Sequence, residues 1–259
     1  MLESRLLAVL IACFTLPSVD AQTTLVAHYR LDETSGTVCN DSSGLGNHGA
    51  YLGGVLLGRP GARPGSATSV DFDGATGRVE IPGSASLDAL RDDLSVAAWI
   101  EADVIQLQRI FSNRRPNGGG SGGSWAYGMI PTGLRFTTLG VQDYNQNVPL
   151  TPATWYHFAV TFDANFQATF YLDGVAIGVV GGAQTSNPPG SANQYLIGVL
   201  DLGVGPAEWF DGRIDDLQVY SGTLSPADVQ YLFANPGAPL GGGMLGTSYC
   251  GPAVVNSSG

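Results

Sequence analysis

The 259-residue chain contains no lysine: its 11 basic residues are all arginine, against 22 aspartates and glutamates, for a formal net charge of −11. It has no basic run, and without clustered cations to displace counterions neither nucleic acid nor an anionic membrane surface fits as a partner. Uncharged glycans and divalent cations remain. With only 3 cysteines and with His28, His48 and His157 scattered, there is no zinc signature. Long apolar runs are also missing. The one apolar run, residues 6–16, is too short to cross a bilayer. Arg5 precedes it and Val19-Asp20-Ala21 follows, so residues 1–21 read as a secretory signal. That predicts a secreted or cell-surface protein with no membrane insertion, of about one domain in length.

Glycine and proline are abundant, 37 and 15 residues, well above ordinary usage of roughly 12% together, which implies many turns and long loops. Between them lie short alternating segments. Leu25, Ala27, Tyr29 and Leu31 alternate with polar neighbours to make a half-buried first strand. Val70 and Phe72, the turn at 73–77, then Val79 and Ile81 predict a hairpin. Leu94 to Ile100, Trp125 to Ile130, Leu134 to Leu139 and Phe158 to Phe162 add strands, and the Asp173-Gly174 turn joins a further pair. Residues 117–123 and 181–193 read as exposed loops. One helix stands out, with Ser225 as N-cap, Pro226 in its first turn, Asp228 three residues on, and a stop at 235–237.

The chain is organised around residues 209–220, Trp-Phe-Asp-Gly-Arg-Ile-Asp-Asp-Leu-Gln-Val-Tyr. There the alternation of Phe210 and Ile214 slips at Asp215-Asp216, which implies a bulge or a strand buried on both faces. This segment, with Leu224-Ser225-Pro226-Ala227-Asp228 after it, resembles the closing strand of laminin-G-like, concanavalin A-like lectin-glucanase jelly-roll domains. The first strand at 27–33, the Asp41-Ser42-Ser43-Gly44 to Gly49 loop, Val70 to Gly74, Leu94 to Ile100, Trp155 to Asp163 and Tyr171 to Gly174 are similar to the family's other motifs, in its order. The resemblance implies an all-β, concanavalin A-like jelly-roll sandwich of two antiparallel sheets with one short C-terminal helix, over residues 22–236. Residues 237–259 read as a Gly-rich tail or the start of another module.

An enzyme of this family is expected to be a glycoside hydrolase with paired carboxylates. Beyond the signal the glutamates are Glu33, Glu80, Glu101 and Glu208, none in an E-x-D-x-x-E array, so the expectation is a non-catalytic recognition module for carbohydrate. The alternative is a structural or adhesive extracellular module that binds no sugar. For Asp41, Asn47, Asp215 and Asp216 two readings stand: a structural calcium site, since the resembling family holds calcium near its rim, or Asx turns and an arginine partner. Trp99 and Trp155 sit in apolar strands and are expected in the core. Trp125, Tyr144 and Trp209 are flanked by loops. Of these, Trp125 and Tyr144 are the candidates to stack on a pyranose, with Asp143, Asn145 and Gln146 bonding its hydroxyls; the other reading of each ring is partial burial at a strand end. Cys39 and Cys250, an even pair in an oxidising compartment, are the candidates for a disulfide; the rival reading is that Cys250 belongs to the tail module and pairs elsewhere.

Overall fold

The computed structural model describes residues 23–64, 66–114, 125–182, 194–201 and 205–240. The expected signal at 1–21, the loop at 117–123, most of the loop at 181–193, nearly all of the tail and Cys250 lie outside the described residues. The elements run β1 (Thr24–Tyr29), β2 (Val38–Cys39), β3 (Gly49–Leu52), β4 (Val55–Pro60), β5 (Thr68–Asp73), β6 (Arg78–Pro82) and a one-turn helix, α1 (Ala85–Asp88). There follow β7 (Leu94–Ala102), β8 (Gln108–Arg114), β9 (Trp125–Ile130), β10 (Gly133–Thr138), β11 (Gln142–Asn147), β12 (Trp155–Phe162), β13 (Gln167–Leu172) and β14 (Val175–Gly181). The last are β15 (Gln194–Ile197), β16 (Leu200–Asp201), β17 (Pro206–Ala207), β18 (Asp211–Ser221) and α2 (Pro226–Ala234).

The strands form the two-sheet sandwich that the sequence predicts. The first sheet has the order β14-β13-β12-β7-β18-β5-β4, with β1 also on β18, and the second the order β11-β10-β9-β8-β15-β6-β3-β2. Every pairing is antiparallel, and β16 and β17 make a separate ribbon. The core lies between the sheets, where Val96, Ile100, Phe158, Phe162 and Ile214 of the first meet Phe111, Tyr127, Phe136, Tyr144 and Tyr195 of the second. Tyr127 stacks on Phe158 at 4.3 Å and donates its hydroxyl to the Phe158 carbonyl, which satisfies a polar tip that burial would otherwise strand.

β5 and β6 are not a hairpin. β5 pairs with β4 and β18, while β6 pairs with β3 and β15 in the opposite sheet, so residues 73–77 carry the chain across the sandwich. Alternation fixes which side of a strand is apolar but not whether the next strand lies beside it or opposite. The crossing is held by Asp73, whose carboxylate accepts the amides of Ala75, Thr76 and Gly77 at 3.0, 2.7 and 2.7 Å. Burial would raise this carboxyl, but those bonds and the Thr76 hydroxyl hold it well below the usual range.

The slip in β18 is a bulge. Its register with β7 shifts between Asp215 and Gln218, and Asp216 is left-handed at φ +47°. The C-terminal helix is capped as expected: Ser225 accepts from the Asp228 amide and Asp228 accepts from the Ser225 amide, a full capping box. Among the described residues no helix is long and apolar enough to cross a membrane.

Candidate functional site: two outer faces

The outer face of the first sheet is covered by α2 over its central strands. From α2 and the segment before it, Leu224, Val229 and Leu232 pack on Ala97, Ala159, Tyr171 and Tyr220. Phe233 stacks on Trp99 at 5.5 Å, and the Arg63 guanidinium lies 5.1 Å from the Trp99 ring and 4.8 Å from Phe233. Beneath them Asp215, Trp99 and His157 are aligned across three neighbouring strands. Asp215 Oδ2 accepts from the Ala62 amide at 2.8 Å and from the Ser66 hydroxyl. Burial, with Asp216 and Asp32 nearby, pushes the Asp215 carboxyl up to about 7 despite those bonds, and burial pushes the His157 imidazole down to about 4. Trp155, expected in the core, is half-buried on this face with Arg213 5.2 Å from its ring.

Of the residues singled out for a cation, Asp41 and Asp216 have their carboxylate oxygens taken by hydrogen bonds. Asp41 takes the amides of His28, Ser43 and Asn47, each at 2.9 Å, and the Ser43 hydroxyl at 2.7 Å. Burial alone would raise Asp41, but these bonds outweigh it and lower its carboxyl. Asn47 spends its side-chain amide nitrogen on the Val26 carbonyl at 2.8 Å, and its backbone carbonyl accepts the Tyr29 hydroxyl at 2.7 Å. Asp216 accepts from His28 Nε2 at 2.7 Å, Gln218 at 3.0 Å and the Gly237 amide at 2.7 Å. Oxygens that face N–H and O–H hydrogens present a positive edge where a cation would have to sit. Asp215, bonded to Ala62 and Ser66, is not joined to that set. Among the described residues no three His, Cys, Asp or Glu side chains form a group that could hold a metal.

The expected stacking rings are core residues. Trp125 is 3% exposed and Tyr144 is 0% exposed. Trp125 lies between Phe111 and Phe136 at 5.4 and 6.2 Å, and Tyr144 packs on Phe136 and Phe162 at 6.0 and 5.4 Å, so neither has a face to offer a sugar. The cause is parity: Trp125 shares its side of β9 with Tyr127 and Met129, all of them buried. Asp143 and Asn145, on the other side of β11, are exposed. Arg135 holds them at 3.0 and 2.7 Å. Gln146 is half-buried on the inward parity. Cys39 is buried, and burial raises its thiol.

The outer face of the second sheet carries a cavity of about 280 Å³. Thr76 comes from the crossing, Arg78 and Glu80 from β6, Leu196 from β15, Val199, Asp201 and Pro206 from the ribbon and its approach, and Trp209 from the segment before β18. Trp209 is half-buried. Arg78 Nε donates to Glu80 Oε1 at 2.8 Å, and Gln194 donates to Glu80 Oε2 at 2.8 Å. The ribbon is seated on the sheet, Leu200 against Ala126 and Leu139, with Ser112 donating to the Val199 carbonyl at 2.7 Å. An indole beside a fixed carboxylate and guanidinium can cover the apolar face of a sugar ring while bonding its hydroxyls. Trp209 was among the loop-flanked aromatics, but Arg78 and Glu80 were missed. Their signal was the alternation Arg78-Val79-Glu80-Ile81, which points two polar side chains away from the core.

The two antiparallel sheets and their strand order define a concanavalin A-like sandwich. A family model described as the concanavalin A-like lectin/glucanases superfamily matches residues 73–230, and the chain belongs to that laminin-G-like family. Among solved structures it is similar to domain 4 of a GH43 extracellular arabinanase from Geobacillus stearothermophilus, in complex with arabinotriose. The identity is 19%, the TM-score 0.55, and the match covers 81% of this chain and 98% of that one. The binding domain of botulinum neurotoxin DC, in complex with SialylT, matches at 17% identity and TM-score 0.60 over 82% of this chain and 51% of that one. The botulinum neurotoxin serotype C1 binding domain matches at 18% and 0.58, over 82% and 52%. The chain spans about half the length of these toxin domains, and the likeness is one of fold. No curated protein matches its sequence.

Proposed function

We propose that this is a secreted, non-catalytic module that binds carbohydrate in the groove beneath Trp209. The observation that carries the reading is the half-buried indole set beside Arg78 and Glu80 in a cavity of about 280 Å³, on a face that no helix among the described residues covers. The solved relatives with arabinotriose and SialylT bound support it by analogy of fold. Secretion is supported by the signal-like residues 1–21. The non-catalytic role is supported by Glu80, whose two oxygens are both engaged, whereas a glycosidase acid must be free to deliver a proton.

The test is a glycan array that includes arabino- and sialyl-oligosaccharides, followed by titration of the sugar it selects. Trp209→Ala should weaken binding at least several-fold, since a stacked ring contributes on the order of 1 kcal/mol beyond its area. The melting curve should stay in place and the bound sugar should remain uncleaved. Full affinity in the variant would place the site elsewhere, and cleavage would make the protein a hydrolase.

A further inference from the structure

Trp209 follows a residue in an unfavourable conformation. Glu208 has φ +53°, where the β-carbon of any L-residue is crowded, and such angles persist only where the surroundings over-determine them. Here the surroundings are β8. Arg109, 2% exposed, sends Nε to Glu208 Oε2 at 2.5 Å and its amide to the Glu208 carbonyl at 2.9 Å. One residue earlier, Gln108 Oε1 accepts the Asp211 amide at 3.0 Å. Trp209 is therefore bracketed by bonds from two consecutive residues of one strand.

The guanidinium is itself held from behind. Arg109 Nη1 donates to the Thr137 hydroxyl at 3.1 Å, Thr137 donates to Asp143 Oδ1 at 2.9 Å, and Arg135 grips Asp143 at 3.0 Å. Opposite Arg109 stands Gly128, where a β-carbon would lie 2.2 Å from the Gln108 carbonyl oxygen and 2.9 Å from Arg109 Cα. The strand thus gives up a side chain where it closes on the backbone of Gln108 and Arg109. A buried charge pair contributes little net stability against a hydrophobic replacement, but it fixes geometry where both partners are anchored.

We propose that Arg109 and Glu208 are positioning residues of the groove: their ion pair locks the left-handed turn that aims the Trp209 indole, although neither side chain lines the cavity. The proposal rests on the groove being the sugar site, but its test reads the indole directly. Protein labelled with 5-fluorotryptophan gives a fluorine signal for each tryptophan, and Trp209→Phe identifies the one from Trp209. Glu208→Gln, which keeps shape and removes charge, and Arg109→Lys, which keeps charge and removes the fork, should each shift or broaden the Trp209 signal. Those of Trp99, Trp125 and Trp155 should stay in place. If arabinotriose binds the unaltered protein, its dissociation constant should rise at least threefold in both variants. A lower melting temperature with an unmoved Trp209 signal in Glu208→Gln overturns the proposal, and Glu208→Gln decides alone if Arg109→Lys does not fold. A displaced signal in a protein that binds no sugar would leave the positioning intact and remove the carbohydrate reading.

Discussion

The two outer faces of this sandwich use the same kinds of residue for opposite ends. On the first sheet Trp99 and the acidic pair Asp215-Asp216 are buried, with Phe233 of α2 and the exposed Arg63 over the Trp99 ring, and the carboxylates hold the Ala62 and Gly237 amides. On the second, Trp209, Arg78 and Glu80 stand around an open cavity and keep hydrogen-bonding capacity at its wall. An aromatic beside charged residues is therefore no mark of a binding site until the cover above it is known. Here the cover is decided by a capped helix after β18, and among the described residues no helix lies over β6 and β15.

The comparison breaks most visibly at the covered face. Trp99→Ala should lose roughly 3–5 kcal/mol of stability, as a core tryptophan does, with sugar affinity unchanged in the fraction that folds. Trp125→Ala should cost about as much, because its ring is wedged between Phe111 and Phe136. Denaturant melts measure both. A stable Trp125→Ala protein with weakened sugar binding would return the site to that ring.

A second effect, of a few kcal/mol at most, lies in the buried polar pair on the same face. Asp215 titrates at about 7 in the fold and near 4 when unfolded. The native state therefore holds the extra proton between those values, and this carboxyl's contribution falls as pH climbs from about 4 to 7. His157 titrates at about 4 in the fold against roughly 6.5 unfolded, so its contribution is lost as pH falls from about 6.5 to 4. The two oppose one another. Thermal melts of Asp215→Asn relative to the unaltered protein should show a gain that grows from pH 4 to 7.5, and His157→Gln a gain that grows from pH 6.5 to 4. Parallel curves would mean that neither group is held as described.

The smallest effect belongs to the open face. Glu80→Ala removes a partly exposed ion pair with Arg78 and should change stability by only about 0–1 kcal/mol. It should still weaken sugar binding a few-fold through a lost hydrogen bond of about 1 kcal/mol. Paired melting and titration experiments separate the two.

Much of the fold was legible because its signals are local. The alternation of Phe158, Val160 and Phe162, the Asp173-Gly174 turn and the Ser225-to-Asp228 capping box each appear where the residues predict, and the slip at Asp215-Asp216 is a bulge with both faces buried. What failed is what local patterning does not encode. Val70 to Ile81 alternates equally well as a hairpin or as two strands facing each other across a core. Trp125 beside a glycine run and Tyr144 among amides were judged by sequence neighbours, when strand parity, with Tyr127 and Met129 two and four residues on, already placed Trp125 inward. Asp41 takes its hydrogen bonds largely from its own loop, Ser43 and Asn47, as the Asx-turn reading allows, whereas the His28 ring that meets Asp216 comes from the far end of the chain. The groove is itself non-local, since β6, β15, the ribbon and Trp209 meet only through the strand order of the second sheet.

The most direct measurement is an amide and indole chemical-shift map of the protein titrated with the sugar that the array selects. Shifts should concentrate on Thr76, Arg78, Glu80, Leu196 and the Trp209 indole, with α2 and the Asp41–Asn47 loop silent. Shifts centred on α2, or on Asp143 and Asn145 with Trp209 unmoved, would contradict the assignment of the groove as the binding site.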